Sequence, residues 1–123
     1  MATIIVQTGD KSGDYYLLGH RTTVIGRDEA LPFQILDDRI SRKHMRIRYN
    51  DQENKYSVYD MESKHGVLVN GRRIRAETVL SDGDYITIGK TTLLFTLKDF
   101  PSLESALHHF KKAGERQNPT IVD

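Results

Sequence analysis

Apolar and polar residues alternate in short runs along most of this chain. Met45, Ile47 and Tyr49 alternate with Arg46 and Arg48. Successive side chains of a strand face opposite ways, so this is a half-buried strand with an arginine-bearing outer face. Lys55 to Met61 repeats the pattern, with Tyr56 and Val58 on one face and Ser57 and Tyr59 on the other. Ala2 to Gln7 is rich in Ile and Val and closes on Thr8-Gly9-Asp10. Residues 14–18 and 21–25 read as two further strands split by Gly19-His20. Gly26 to Pro32 breaks the regularity, Phe33 to Leu36 is a short apolar piece, and residues 37–43 form a charged loop. Val67 to Val69 and Arg72 to Ile74 flank Asn70-Gly71, a strong type I′ hairpin signal. Ser81-Asp82-Gly83 is a turn, and residues 84–88 and 91–97 are strands around Gly89-Lys90. Short strands separated by frequent turns predict a sandwich or barrel.

The period changes after Pro101. Ser102 suits a helix cap, and Leu103, Ala106, Leu107 and Phe110 follow the i, i+3, i+4, i+7 spacing of one apolar helix face. Lys111 and Lys112 complement the C-terminal end, and Gly114 can stop the helix. The expectation is an amphipathic helix within 99–114 that covers an edge or face of the sandwich, the alternative being a dimer or partner helix. Residues 115–123 are polar, contain Pro119, and are expected to be a flexible tail. The sandwich itself occupies residues 1–98.

A length of 123 residues fits one domain with one modest core. The net charge of +1 sets up no global field, so only local clustering of charge bears on partners. There is no cysteine, which rules out disulfides and thiolate metal sites and fits a reducing compartment. No apolar run is long enough to span a bilayer, and the N-terminal residues lack the charged and apolar regions of a signal peptide. The expectation is a cytoplasmic protein with no membrane, metal or cofactor.

The densest chemistry lies in Arg39-Ile40-Ser41-Arg42-Lys43-His44, with Gly26-Arg27 upstream and Ser63-Lys64-His65-Gly66 downstream. Enzyme readings fail. Gly89-Lys90-Thr91 ends like a phosphate-binding P-loop, but the glycine required five positions earlier is Asp84, and the spacer reads as a strand. His108 and His109 are adjacent on a helix and diverge, so they do not chelate one metal. Ser41 and His44 lack a third orienting residue and a nucleophile elbow. Nucleic acid is a rival, because Arg72, Arg73 and Arg75 add cations. It is disfavoured because Asp28, Glu29, Asp37 and Asp38 interrupt the cluster and no aromatic platform accompanies it. A small anion bound at one point fits better.

In order, the chain contains Val24-Ile25-Gly26-Arg27, Ile35-Leu36-Asp37-Asp38, Ile40-Ser41-Arg42-Lys43-His44, Tyr56-Ser57-Val58-Tyr59-Asp60, Ser63-Lys64-His65-Gly66, Val69-Asn70-Gly71, and Leu80 through Gly89. This ordered set, with strands in the gaps, resembles a forkhead-associated (FHA) domain, a phosphothreonine-peptide binding module. The resemblance covers about Ile4 to Leu97 and implies an eleven-stranded β-sandwich of two twisted sheets (FHA/SMAD-like) with the binding loops at one end.

It also implies roles. Arg27 matches the arginine that contacts phosphate, Ser41 the serine whose hydroxyl donates to a phosphate oxygen, and Arg42 a side chain that often contacts phosphate or peptide. Lys64 and His65 fall on the opposing peptide-binding loop. Gly26, His44, Gly66, Asn70 and Gly71 fall at positions that support the site. His65 stands where the family usually has asparagine, and Val67 replaces a common threonine, so the grip on the peptide main chain is expected to differ. The implied activity is phosphorylation-dependent protein–protein interaction in Ser/Thr kinase signalling, not catalysis. The partner is a phosphothreonine-containing protein, either a kinase substrate or the kinase itself. Two alternatives stand beside it: a phospho-independent interaction domain of the same fold, and nucleic-acid binding through the basic loops. Thr120, with Asp123 three places on, would allow self-association if phosphorylated.

Overall fold

The computed structural model describes residues 2–9 and 11–98. The expected helix within 99–114, the tail and Thr120 lie outside the described residues. Eleven strands are present: β1 (Thr3–Val6), β2 (Tyr15–Leu17), β3 (Thr23–Gly26), β4 (Phe33–Gln34), β5 (Met45–Asn50), β6 (Lys55–Asp60), β7 (Val67–Val69), β8 (Arg72–Arg73), β9 (Thr78–Val79), β10 (Tyr85–Ile88) and β11 (Thr91–Thr96). They form a six-stranded sheet in the order β2-β1-β11-β10-β7-β8 and a five-stranded sheet in the order β4-β3-β5-β6-β9. The β3–β4 pair is parallel and the other pairs are antiparallel.

Two-residue periodicity sets which side chains meet between the sheets. Ile4 and Val6 of β1 oppose Phe95 and Leu93 of β11, and all four lie in the core. Ile47 and Val58 oppose each other in the second sheet and complete the layer from that side. Aromatic contacts bridge the sheets: Tyr16 of β2 stacks on Phe33 of β4, and Tyr56 of β6 tilts against Phe95 of β11. Each fully buried Ile, Leu or Phe contributes about 1.5–3 kcal/mol of transfer free energy. That burial holds two sheets of short strands face to face.

In β6 the alternation of buried and exposed side chains breaks down. Ser57 is predicted to face out, yet it is buried. Its hydroxyl donates to the Glu77 carboxylate, which also takes both Nε and Nη2 of Arg48. Glu77 leads into β9, the two-residue strand that pairs with β6 and covers Ser57. A strand of two residues leaves no periodicity to read, and the pattern does not predict β9. The Asn70-Gly71 turn is as expected: both residues have positive φ, 52° and 82°, as a type I′ turn requires. Asn70 further donates to Asp84 and accepts the backbone N–H of Tyr85.

Candidate functional site

Three segments converge at one end of the sandwich: 27–32 after β3, 35–44 between β4 and β5, and 61–66 between β6 and β7. The first two are joined as if the β3–β5 ladder continued past its end. The Arg27 N–H donates to the Ser41 carbonyl at 3.0 Å, and the Asp28 N–H donates to the Arg42 carbonyl at 3.1 Å. The His44 N–H donates to the Ile25 carbonyl at 3.0 Å. Gly26 sits at the closest approach. A Cβ there would lie 2.2 Å from the Arg42 carbonyl oxygen, so only glycine lets the two segments touch.

Ser41 is the hub. Its backbone carbonyl holds Arg27, its backbone N–H donates to His44 Nδ1 at 3.0 Å, and its Oγ accepts the Lys64 N–H at 3.1 Å. That last bond brings in the third segment. Because Oγ accepts from Lys64, the hydroxyl proton remains to be donated to a ligand. Ser41 is half-buried, so the hydroxyl is reachable from solvent.

His44 is the brace beneath. It is fully buried, and its Nε2 lies 2.7 Å from the Gly66 carbonyl oxygen. Nδ1 accepts from Ser41, so the proton resides on Nε2 and is donated to Gly66. One neutral imidazole thus ties the serine-bearing loop to the 61–66 loop. That loop is also stitched from within: Asp60 Oδ1 accepts the Ser63 N–H, and Ser63 Oγ accepts the Gly66 N–H. Gly66 has φ of +81°, a conformation that disfavours side chains.

The Arg27 side chain is exposed but oriented. Its Nε donates to the Ile40 carbonyl at 3.0 Å, which leaves the terminal Nη groups for a ligand. Gln34 steadies the Arg27 backbone by donating to its carbonyl. Beside Arg27 lies a shallow hollow lined by Asp28, Gln34, Leu36 and Arg42, among others. Arg42 is exposed, and its guanidinium lies 3.9 Å from the Asp28 carboxylate. Lys64 and His65 are exposed on the opposing loop. Lys64 is tied into the site by its backbone, a role that its charge does not announce.

Two further residues come to this end. Asp37 interrupts the basic cluster along the chain. Its Oδ1 accepts the Arg39 N–H, while Oδ2 accepts the Lys90 N–H at 2.7 Å and the Thr91 hydroxyl at 2.8 Å. It clamps the serine-bearing loop onto the β10–β11 turn of the other sheet. The Gly89-Lys90-Thr91 run that mimics the end of a P-loop therefore spends its amide and hydroxyl on a carboxylate of its own chain. Burial pushes the Asp37 carboxyl up, but the bonds from Arg39, Thr91 and Lys90 outweigh it and hold the group below its ordinary value. The second residue is Arg73. The β7–β8 hairpin places it against Gly66, where a Cβ would lie 2.6 Å from Arg73 Nε. Asn70 and Gly71 form the turn at the far end of β7, so they support the site by returning Arg73 and not by contact with it. Arg72 and Arg75 make no such approach among the contacts described. No group of His, Asp and Glu suited to a metal occurs among the described residues.

The FHA-domain family model matches residues 23–89, the span that holds all three loops. An oxoglutarate dehydrogenase inhibitor of Corynebacterium jeikeium is 37% identical over 94 residues, 76% of this chain and 63% of that protein. This chain therefore spans less than two thirds of that relative's length. An FHA domain solved in a study of phosphothreonine-dependent interactions superposes with a TM-score of 0.71 at 27% identity, covering 80% of this chain and 98% of that one. EmbR of Mycobacterium tuberculosis, solved with a low-affinity phosphopeptide, superposes with a TM-score of 0.71 at 30% identity over 80% of this chain and 25% of its own. Two-sheet order, joined loops, family match and relatives agree: this chain belongs to the FHA-domain family.

Proposed function

We propose that this protein binds phosphothreonine peptides at the loop end of the sandwich and acts as an adaptor in phosphorylation-dependent protein–protein interaction. The observation that carries the reading is the Ser41 hydroxyl. Its oxygen is committed to the Lys64 amide, and its proton is free to donate beside an arginine anchored through Nε. A phosphothreonine brings about 1.5 to 2 negative charges and three strong acceptor oxygens. An arginine fork meets those oxygens bidentately, which a lysine does not reproduce. Arg42 extends the positive rim, and Arg73 adds a cation near the opposing loop. Lys64 and His65 line the path of the peptide, with His65 offering an imidazole in place of an amide.

In this reading the protein is a binding module and not an enzyme, and it works in the cytoplasm, where kinases write phosphothreonine. Its partner is a Ser/Thr kinase substrate or the kinase itself. The deciding experiment titrates a phosphothreonine peptide library, its unphosphorylated twin and an oligonucleotide against wild type, Arg27→Ala and Arg27→Lys. Phosphate-dependent binding that both variants lose supports the proposal. Equal binding to the two peptide sets would make this a phospho-independent interaction domain. Binding to the oligonucleotide alone, falling steeply with salt, would make it a nucleic-acid binder.

A further inference from the structure

Leu36 is 75% exposed, the most open large apolar side chain among the described residues. A lone exposed leucine needs no explanation. This one stands between two hollows. One is the shallow hollow beside Arg27, where Gln34 and Leu36 form part of the lining. The other, of about 400 Å³, opens where the two sheets meet. It is lined by Val6 of β1, Thr8, Thr91 of β11, Phe33 and Gln34 of β4, and again Leu36. The two hollows share Gln34 and Leu36, so the second continues the first.

We propose that this second hollow is an apolar subsite for the same peptide. It takes one leucine- or phenylalanine-like side chain of the phosphothreonine partner, and Leu36 sets the preference. The subsite rests on phosphothreonine binding at Arg27 and Ser41. Three observations choose this occupant. The first is reach. Gln34 pairs with Gly26, the residue before Arg27, and neighbouring strands lie about 4.8 Å apart. The hollow therefore begins one strand beyond the phosphate site. An extended peptide rises about 3.3 Å per residue, so a side chain about two to four positions from the phosphothreonine arrives there. The second is charge. The lining carries one cation, Lys11, and one carboxylate, Asp14, so the hollow has no net charge to recruit an acidic residue or a second phosphate. The third is preorganisation. The Ile35 N–H donates to the Gly26 carbonyl at 2.8 Å and the Asp37 N–H to the Ile35 carbonyl at 3.0 Å, while the Asp37 carboxylate accepts the Lys90 N–H. Both chain neighbours of Leu36 are thus fixed, and little backbone freedom remains to be lost when a ligand packs on it.

The test is a leucine scan. A phosphothreonine peptide in an alanine background carries leucine in turn at each position within about four residues of the phosphothreonine. Binding is read by fluorescence anisotropy. At one position leucine should raise affinity for the wild type about 5- to 30-fold over alanine, and glutamate there should give no gain. Leu36→Ser should collapse that ratio to about twofold or less. Leu36 is exposed, so the substitution costs the core nothing. Leu17→Ser removes a half-exposed leucine that lines neither hollow, and it should keep the full ratio. Phosphate-dependent binding with no leucine gain at any position, or with a greater gain from glutamate, would overturn the subsite and leave the phosphothreonine reading standing. A gain that survives Leu36→Ser, or that Leu17→Ser also abolishes, would overturn it too. Loss of phosphate dependence across the whole series would overturn both.

Discussion

The hydroxyl oxygen of Ser41 accepts the backbone N–H of Lys64 at 3.1 Å, across 23 positions of chain. This bond ties the β4–β5 loop to the loop that crosses from β6 to β7, and orients the hydroxyl proton at the same time. Ser41→Ala removes both functions while costing the core nothing. Hydrogen bonds to charged groups contribute about 1.5–3 kcal/mol. Affinity for a phosphothreonine peptide should therefore fall about 10- to 150-fold, with the denaturation midpoint nearly unchanged. Isothermal titration alongside a urea melt checks both halves.

Gly26 allows the 27–32 segment to lie against the Arg42 carbonyl. Gly26→Ala places a methyl 2.2 Å from that oxygen, and the obstacle is backbone, which cannot swing aside. Overpacking of this kind costs about 1–3 kcal/mol. Because the strain falls on the Arg27–Ser41 and Asp28–Arg42 bonds, peptide affinity should fall along with stability. A variant of full stability and full affinity would contradict the close approach.

His44 carries its proton on Nε2 because Nδ1 is taken by the Ser41 amide. Imidazole nitrogen shifts measured by NMR should report that neutral tautomer. His44→Leu keeps the site filled but strands the Ser41 N–H and the Gly66 carbonyl in a buried setting. Each stranded group costs about 1–3 kcal/mol, so the variant should be visibly destabilised and should bind phosphopeptide poorly.

Asp37 predicts an acid-side dependence. Its carboxyl is held below the ordinary value of 3.8 by the bonds from Arg39, Thr91 and Lys90, against the opposing push of burial. A depressed folded-state pKa contributes stability above the unfolded value, and that contribution disappears as pH falls through the folded one. Glu77 acts with the same sign: the Ser57 hydroxyl, then Arg48, hold it below its ordinary value of 4.5. Asp37→Asn should be less stable than wild type at neutral pH, with the gap closing below about pH 4. Urea melts from pH 7 to pH 2.5 would show it. A constant gap across that range would remove Asp37 from the acid response.

Much of this fold is legible in the chain. The alternation of Met45, Ile47 and Tyr49 with Arg46 and Arg48 predicts β5, and Asn70-Gly71 predicts the β7–β8 hairpin, because both signals are local. β9 is not legible, since two residues have no period and Thr78–Val79 becomes a strand only by pairing with Ser57 and Val58. Arg27, Ser41 and Arg42 are named by family resemblance. Lys64 is picked out for its charge, whereas its backbone N–H is what ties it to the site. Asp37 looks like a stray acid among cations, and its three hydrogen-bond partners include two that lie more than fifty residues away. Arg73 comes to the site only because a hairpin folds it back onto Gly66.

The all-β class, the turns and the residue types that can meet a phosphate follow from the chain's local pattern alone. Those depend on local periodicity, backbone freedom and side-chain chemistry, all of which are written in neighbouring positions. It takes the folded arrangement to hold Arg27, Ser41 and Lys64 to one another, to let His44 span two loops, and to lock one sheet's loop to the other sheet's turn through Asp37. Those relationships are hydrogen bonds between residues distant in sequence. They form only when the burial of Ile4, Ile47, Ile86 and Phe95 has brought the two sheets into register.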